Sequence, residues 1–197
     1  DFGVYRLPDG SYQMLISPPG GQYCGLLQAS PDFSQGTIAT RGQDSVRAFA
    51  VNNALMLMYA FASATKGTLL IHASVIKNDG CGYLFLGQSG TGKSTHSSIW
   101  LKHIGGSELL NDDNPVIVID DDGATVYGSP WSGKTRCYKN VQAPLGGIIR
   151  IVRAPHNKAV RLSPIQSYAS IMTSSTGLTW DKNFADNRDR TLQRIIS

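Results

Sequence analysis

Long hydrophobic runs are missing from this chain. The longest, residues 54–62, is far too short to cross a bilayer, and no signal-like segment opens the sequence. Cysteine is scarce too. Cys24, Cys81 and Cys137 are odd in number, scattered and without metal-type spacing. No cysteine-built zinc site is expected from this spacing, and the simple reading is free thiols in a reducing, cytoplasmic setting. Charged residues are only 16% of the total, with a net charge of +4 and no basic block. Binding to nucleic acid or membrane by bulk electrostatics is therefore not expected, while anionic ligands are mildly favoured. There are no internal repeats. Asp1-Phe2-Gly3 imitates a protein-kinase tripeptide, but no His-Arg-Asp loop accompanies it, so the match is coincidence. What is present, 197 residues with 41% hydrophobic content, suffices for one globular domain with a sizeable core.

One segment dominates the remaining signal. Gly87-Gln88-Ser89-Gly90-Thr91-Gly92-Lys93-Ser94 fits the phosphate-cradling Walker A pattern without a gap. Residues 82–86 read as a short buried strand running into it, and residues 95–103 as a helix leaving it, stopped by Gly105 and Gly106. That order suits phosphate chemistry. Glycines let backbone N–H groups converge on an anion, and a helix N-terminus adds the positive end of its dipole. Lys93 can reach β- and γ-phosphates, and the Ser94 hydroxyl can ligate Mg²⁺.

The rest of the chain reads as alternating short elements. Residues 1–42 predict small strands and turns, a β-rich N-terminal portion. Asp44 or Ser45 can cap a helix in which Ala48, Val51, Leu55, Met58 and Ala62 recur at helical spacing, closed by Gly67. Residues 68–76 predict one apolar strand, then an Asn78-Asp79-Gly80 turn. Residues 108–110 predict a strand ending at Asn111-Asp112-Asp113. Residues 116–119 and 125–127 predict a hairpin with Asp120, Asp121 and Asp122 solvated at its tip. A loop follows over 128–134 and a strand over 147–152. Ser163 can cap a helix reaching about residue 173, with Pro164 in its first position. The remainder reads as polar and turn-rich before a helical end at 191–196.

Asp112 and Asp113 form the second constellation. They stand at the carboxyl end of a strand, where an α/β sheet presents ligands. Adjacent strand residues point in opposite directions, so one carboxylate can face Mg²⁺ and the other a substrate hydroxyl. The alternative is a turn cap before Pro115.

These residues resemble a known family. An Ile-His72-Ala-Ser stretch, the glycine-rich loop, and Asn-Asp-Asp about nineteen residues past the lysine look like the catalytic domain of HPr kinase/phosphorylase. The same combination is similar to phosphoenolpyruvate carboxykinase, which shares this variant of the phosphate-loop fold. The resemblance runs from about His72 to Trp131 and extends weakly to Arg153. It implies an α/β fold with a mixed, phosphate-loop-containing sheet over residues 68–153, the β-rich portion before it and a helical 154–197 after it. It also implies ATP and Mg²⁺, with phosphoryl transfer to a protein, peptide or small-molecule hydroxyl, and by analogy a homo-oligomer. Gly87, Gln88, Ser89, Gly90, Thr91, Gly92, Lys93, Ser94 and Thr95 then hold the nucleotide. Ser94 and Asp113 hold the metal, and Asp112 orients or deprotonates the acceptor, although the sequence permits either division of roles within the aspartate pair. His72 matches a histidine near the phosphates, or is a satisfied core residue. Lys134 and Arg136 meet the transferred group, or form a solvated basic loop. Trp131 reads as a packing anchor.

Two parts of the family pattern are absent. An acidic residue follows Gly-Lys-Ser there, where this chain has Thr95, and the loop that senses phosphorylated HPr is missing. A second Mg²⁺, the reverse phosphorolysis and HPr itself are therefore not implied. A non-catalytic ATP-binding regulatory module is the second reading. A carboxykinase-like metabolic enzyme is the third, although the chain is too short for a complete one.

Overall fold

A four-stranded antiparallel meander begins the chain: β1 (Phe2–Arg6), β2 (Tyr12–Ile16), β3 (Gly25–Ala29) and β4 (Gly36–Thr40). The computed structural model describes residues 2–133 and 135–196. It divides into two compact units, Asp1–Ser63 and Ala64–Ser197. In the first, alternation buries Tyr12, Met14 and Ile16 on one face of β2. Helix α1 (Asp44–Ser63) packs on β2, β3 and β4.

The inward face of α1 differs from the stripe read in the sequence. Ala50, Ala54, Leu57, Ala60 and Phe61 are buried, whereas Val51 and Leu55 are 39% and 59% exposed. Apolar residues surround most of this helix, so a 3.6-residue period fits more than one stripe. Aromatic packing selects among them: Phe61 lies 5.0 Å from Phe33, which lies 4.8 Å from Tyr12. The whole helical stretch Asp44–Lys66, with mean hydropathy 1.2, is by length and composition long enough to span a bilayer, which the run 54–62 taken alone is not.

The second unit is a mixed α/β structure. A 3-10 turn (Ala64–Lys66) ends at Gly67, whose φ of 68° suits glycine. Seven strands follow: β5 (Thr68–Leu70), β6 (Ala73–Asn78), β7 (Cys81–Leu86), β8 (Glu108–Asp113), β9 (Val116–Asp120), β10 (Gly123–Tyr127) and β11 (Gln142–Arg150). Their order is β5-β9-β10-β11-β7-β6-β8. β11 runs parallel to β7, and β8 shares that direction because both β7 and β8 are antiparallel to β6. The carboxyl ends of β7, β8 and β11 therefore open at one end of the sheet.

The single strand expected over 68–76 is broken in two at Ile71 and His72. β5 pairs with β9 while β6 pairs with β7 and β8. Only these two residues join β5 to β6, and only Asn114 and Pro115 join β8 to β9, although β5 and β8 are opposite edges. The sheet must curl so that its edges approach, and the Ile71 N–H donates to the Pro115 carbonyl at 3.1 Å across the junction. An apolar run gives no sign of such a break, because every residue in it stays buried whichever strand it pairs with.

Inside the curl, Ile71, Val75, Leu84, Leu110, Ile117 and Leu192 form the core. Helix α2 (Lys93–His103) follows β7. Helix α3 (Pro164–Met172) starts at a complete capping box of Ser163 and Gln166. Helix α4 (Lys182–Ile196) begins nine residues before the helical end read from the sequence. Asp181 accepts hydrogen bonds from the Asn183 and Phe184 amides, starting it early. Its inward stripe passes through Arg188 and Thr191 as well as Phe184 and Leu192, so the segment reads as polar.

Candidate functional site

Close backbone approach shapes the glycine loop at the end of β7. A Cβ on Gly87 would stand 2.4 Å from the Thr91 hydroxyl, so a side chain there would displace the loop. The Thr91 amide and hydroxyl both donate to the Gln88 carbonyl, at 3.1 and 2.8 Å, and close the turn. A Cβ at Gly90 would meet nothing within 4 Å, so the loop faces open space on that side of Gly90. Gly92 turns the chain into α2 with a φ of 108°. The helix starts at Lys93, two residues earlier than its sequence pattern suggested. Its first hydrogen bond runs from the His96 amide to the Gly92 carbonyl at 2.8 Å. Among the described residues, the amides of Lys93, Ser94 and Thr95 have no acceptor and lie at the positive end of the helix. Buried Ser97 anchors α2 through a 2.7 Å hydroxyl contact with Ser74 of β6, and His96 packs edge-on against Phe85.

Two contact chains converge on this loop. In the first, the Ser94 hydroxyl donates to Asp112 Oδ1 at 2.9 Å, and Asp112 is only 4% exposed. These two oxygens are hard donors of the kind Mg²⁺ prefers. In the second, His72 sits at the break between β5 and β6. Its Nδ1 lies 3.0 Å from Asp113 Oδ1, and its Nε2 lies 2.8 Å from Lys93 Nζ. A neutral imidazole with its proton on Nδ1 satisfies both contacts, donating to the carboxylate and accepting from the ammonium. Lys93 also donates to the Gly87 carbonyl at 2.9 Å, and Asn114 donates to Asp113 Oδ2 at 2.8 Å. Asp113 has a φ of 150°, a strained conformation for a residue with a side chain. Such strain costs on the order of 1–3 kcal/mol and persists where surrounding contacts over-determine it.

Those contacts come from residues that the sequence pattern did not single out. Asn111 is fully buried; its side chain donates to Ser129 Oγ at 3.2 Å and accepts from the Asn114 amide at 3.1 Å. Ser129 in turn donates to the Asn114 carbonyl at 2.6 Å. The Gly133 amide donates to the Asp112 carbonyl at 2.5 Å. This mesh clamps the turn that carries both aspartates. The only signal available was an amide side chain at an inward position of an apolar strand, where burial obliges it to find partners. Trp131 is buried, as a packing anchor should be, and Arg136 is exposed. Lys134 lies outside the described residues. Thr95 is exposed in the first turn of α2, and Asp120, Asp121 and Asp122 are exposed at their hairpin tip.

Burial lowers the pKa of the Lys93 ammonium below the ordinary 10.5, against a smaller upward pull from Asp113 and then Asp112. Between the lowered folded value and 10.5, the unfolded chain binds more protons, so stability rises with pH in that window. Urea melts at neutral pH and near 10 are expected to move in favour of the wild type when compared with Lys93→Met, which cannot titrate. A constant difference between the two proteins would contradict this assignment.

Two open cavities flank the loop on its β11 side. One, of about 490 Å³, lies between residues 88–91 and 150–153; the other, of about 470 Å³, lies between the start of α2 and residues 151–154. Arg153 borders both and donates to the Gly90 carbonyl.

No curated protein sequence matches the chain. A family model described as SynChlorMet cassette protein ScmC matches residues 36–197, which include the glycine loop, both aspartates, His72 and the whole second unit. The chain belongs to this ScmC family of SynChlorMet cassette proteins.

Proposed function

We propose that this protein is an ATP- and Mg²⁺-dependent kinase with the HPr kinase/phosphoenolpyruvate carboxykinase variant of the phosphate-loop fold, transferring a γ-phosphoryl group to a hydroxyl acceptor. The observation that carries the reading is the convergence of Ser94–Asp112 and Lys93–His72–Asp113 on a glycine loop with open amides. A triphosphate fits the open space beside Gly90, where amides and the helix dipole are available. Mg²⁺ fits the Ser94–Asp112 oxygen pair; when bound there it supplies positive charge to the phosphate oxygens.

The remaining chemistry belongs to the chain's own residues. Lys93 neutralises charge that develops on the transferred group and its leaving oxygen. Asp113 is the proton acceptor. His72 and Asn114 fix its two oxygens, and its carboxylate takes the acceptor's hydroxyl proton as the new O–P bond forms and the β,γ-bridging P–O bond breaks, releasing ADP. These contacts favour the reverse of the division that the family resemblance implies, with Asp112 on the metal and Asp113 as base. The acceptor is a hydroxyl of a protein, a peptide or a small molecule.

A non-catalytic nucleotide-binding module is the second reading, favoured by Thr95 standing where the resembling kinases have an acidic residue. Incubation with γ-labelled ATP and cell extract separates the two. Labelled product that depends on Mg²⁺ and on this protein supports the kinase. ATP binding by calorimetry without label transfer or ADP release supports the module.

A further inference from the structure

The order of strands around the loop gives any bound nucleotide a direction. His72 and the aspartate pair belong to β6, β8 and their junctions, on one side of β7; β11 and the segment after it lie on the other side. Both cavities are on that second side. Lys93 and Ser94 open α2, and Thr95 and His96 in its first turn, with Ile99 one turn on, line the second cavity. Across from them stand residues 151–154. Ile99 is 50% exposed and Val152 72% exposed, so each presents apolar surface to the opening. The wall is tied to the loop at two points: the Ile151 amide donates to the Leu86 carbonyl at 2.8 Å, and Arg153 donates to the Gly90 carbonyl. The cavity, about 470 Å³ and broadly open to solvent, falls in the size range of small-ligand sites; Ile99, Val152 and Ala154 give it apolar faces, and Thr95, His96 and Arg153 bring polar groups to its rim.

We infer that this cavity is the nucleoside subsite, with the base held between Ile99 and Val152 and the phosphate tail directed through the loop towards His72 and Asp113. The inference rests on the nucleotide reading above and adds where base recognition occurs. Both apolar residues are exposed, so replacing them leaves the core untouched.

Calorimetry with Mg-ATP and Mg-tripolyphosphate tests it, on the wild type, the double variant Ile99→Gln/Val152→Gln and Lys93→Ala. The wild type is expected to bind ATP at least about tenfold more tightly than tripolyphosphate. The double variant is expected to lose that preference while holding tripolyphosphate within about twofold of wild type, and Lys93→Ala to weaken both ligands. Equal wild-type affinity for the two ligands overturns the subsite and leaves the phosphate site standing. So does a double variant that binds both ligands as the wild type does, or that weakens both equally. A wild type that binds neither ligand overturns the nucleotide reading and this inference together.

Discussion

Lys93→Ala is expected to cut label transfer from γ-labelled ATP by about 10³-fold, which corresponds to about 4 kcal/mol of transition-state stabilisation. Phosphoryl transfer leaves a protein little covalent work, so positioning and charge stabilisation carry the rate. Lys93 is the ammonium within the loop, held at 2.9 Å from the Gly87 carbonyl and 2.8 Å from His72. Arg153, the other cation that the described contacts place on the loop, is bonded to the Gly90 carbonyl on the β11 side, away from His72 and the aspartates. The variant is expected to fold, because Lys93 is only partly buried and lies outside the apolar core. A thermal melt run beside the kinetic assay makes that check. Equal labelling by wild type and Lys93→Ala would refute the kinase assignment.

Asp113→Asn is expected to lower transfer by about 10²–10⁴-fold, the range for losing a general base, while Mg-ATP affinity stays near wild type. Asparagine matches aspartate in side-chain size and branching, so the change adds no bulk at a backbone already held at a φ of 150°. The variant removes charge and basicity and keeps one acceptor oxygen, so its NH2 group must turn away from either His72 Nδ1 or the Asn114 amide, and one of those two contacts is lost with the charge. Asp112→Asn is expected to behave differently. Its carboxylate lies against the Ser94 hydroxyl, so the change should shift the Mg²⁺ requirement to higher metal concentration, with activity partly rescued by added Mg²⁺. Titration of activity against Mg²⁺ for both variants reads the split directly. If the metal shift appears in Asp113→Asn and the Mg²⁺-independent loss in Asp112→Asn, the two roles are exchanged. His72→Gln should resemble a milder Asp113→Asn, because glutamine can hydrogen-bond the carboxylate but not hold Lys93 in the same way.

Much of the second unit was readable from local pattern. The Asn78-Asp79-Gly80 turn, the hairpin around residues 120–123 and the Ser163 helix cap rest on interactions within a few residues, and the strand feeding the glycine loop was marked by its own apolar run. Each appears where its residues placed it. Where pattern and structure differ, the cause is the opposite one. The face α1 buries depends on Phe33, outside the helix itself. The break at His72 depends on which strands flank β5 and β6. The early start of α4 was hidden by an inward-facing arginine that interrupts the apolar stripe.

The site divides along the same line. The turn of Gly87 to Gly92 entering a helix at Lys93 was legible because the geometry of a glycine turn before a helix is a local property of consecutive residues. The identities of Lys93, Ser94, Asp112 and Asp113 as candidates came with it. Their pairing did not. Ser94 meeting Asp112, and His72 standing between Lys93 and Asp113, require the sheet to curl until the β5–β6 and β8–β9 junctions touch. That closure is set by hydrogen bonds between strands remote in the chain, and no window of sequence contains both partners.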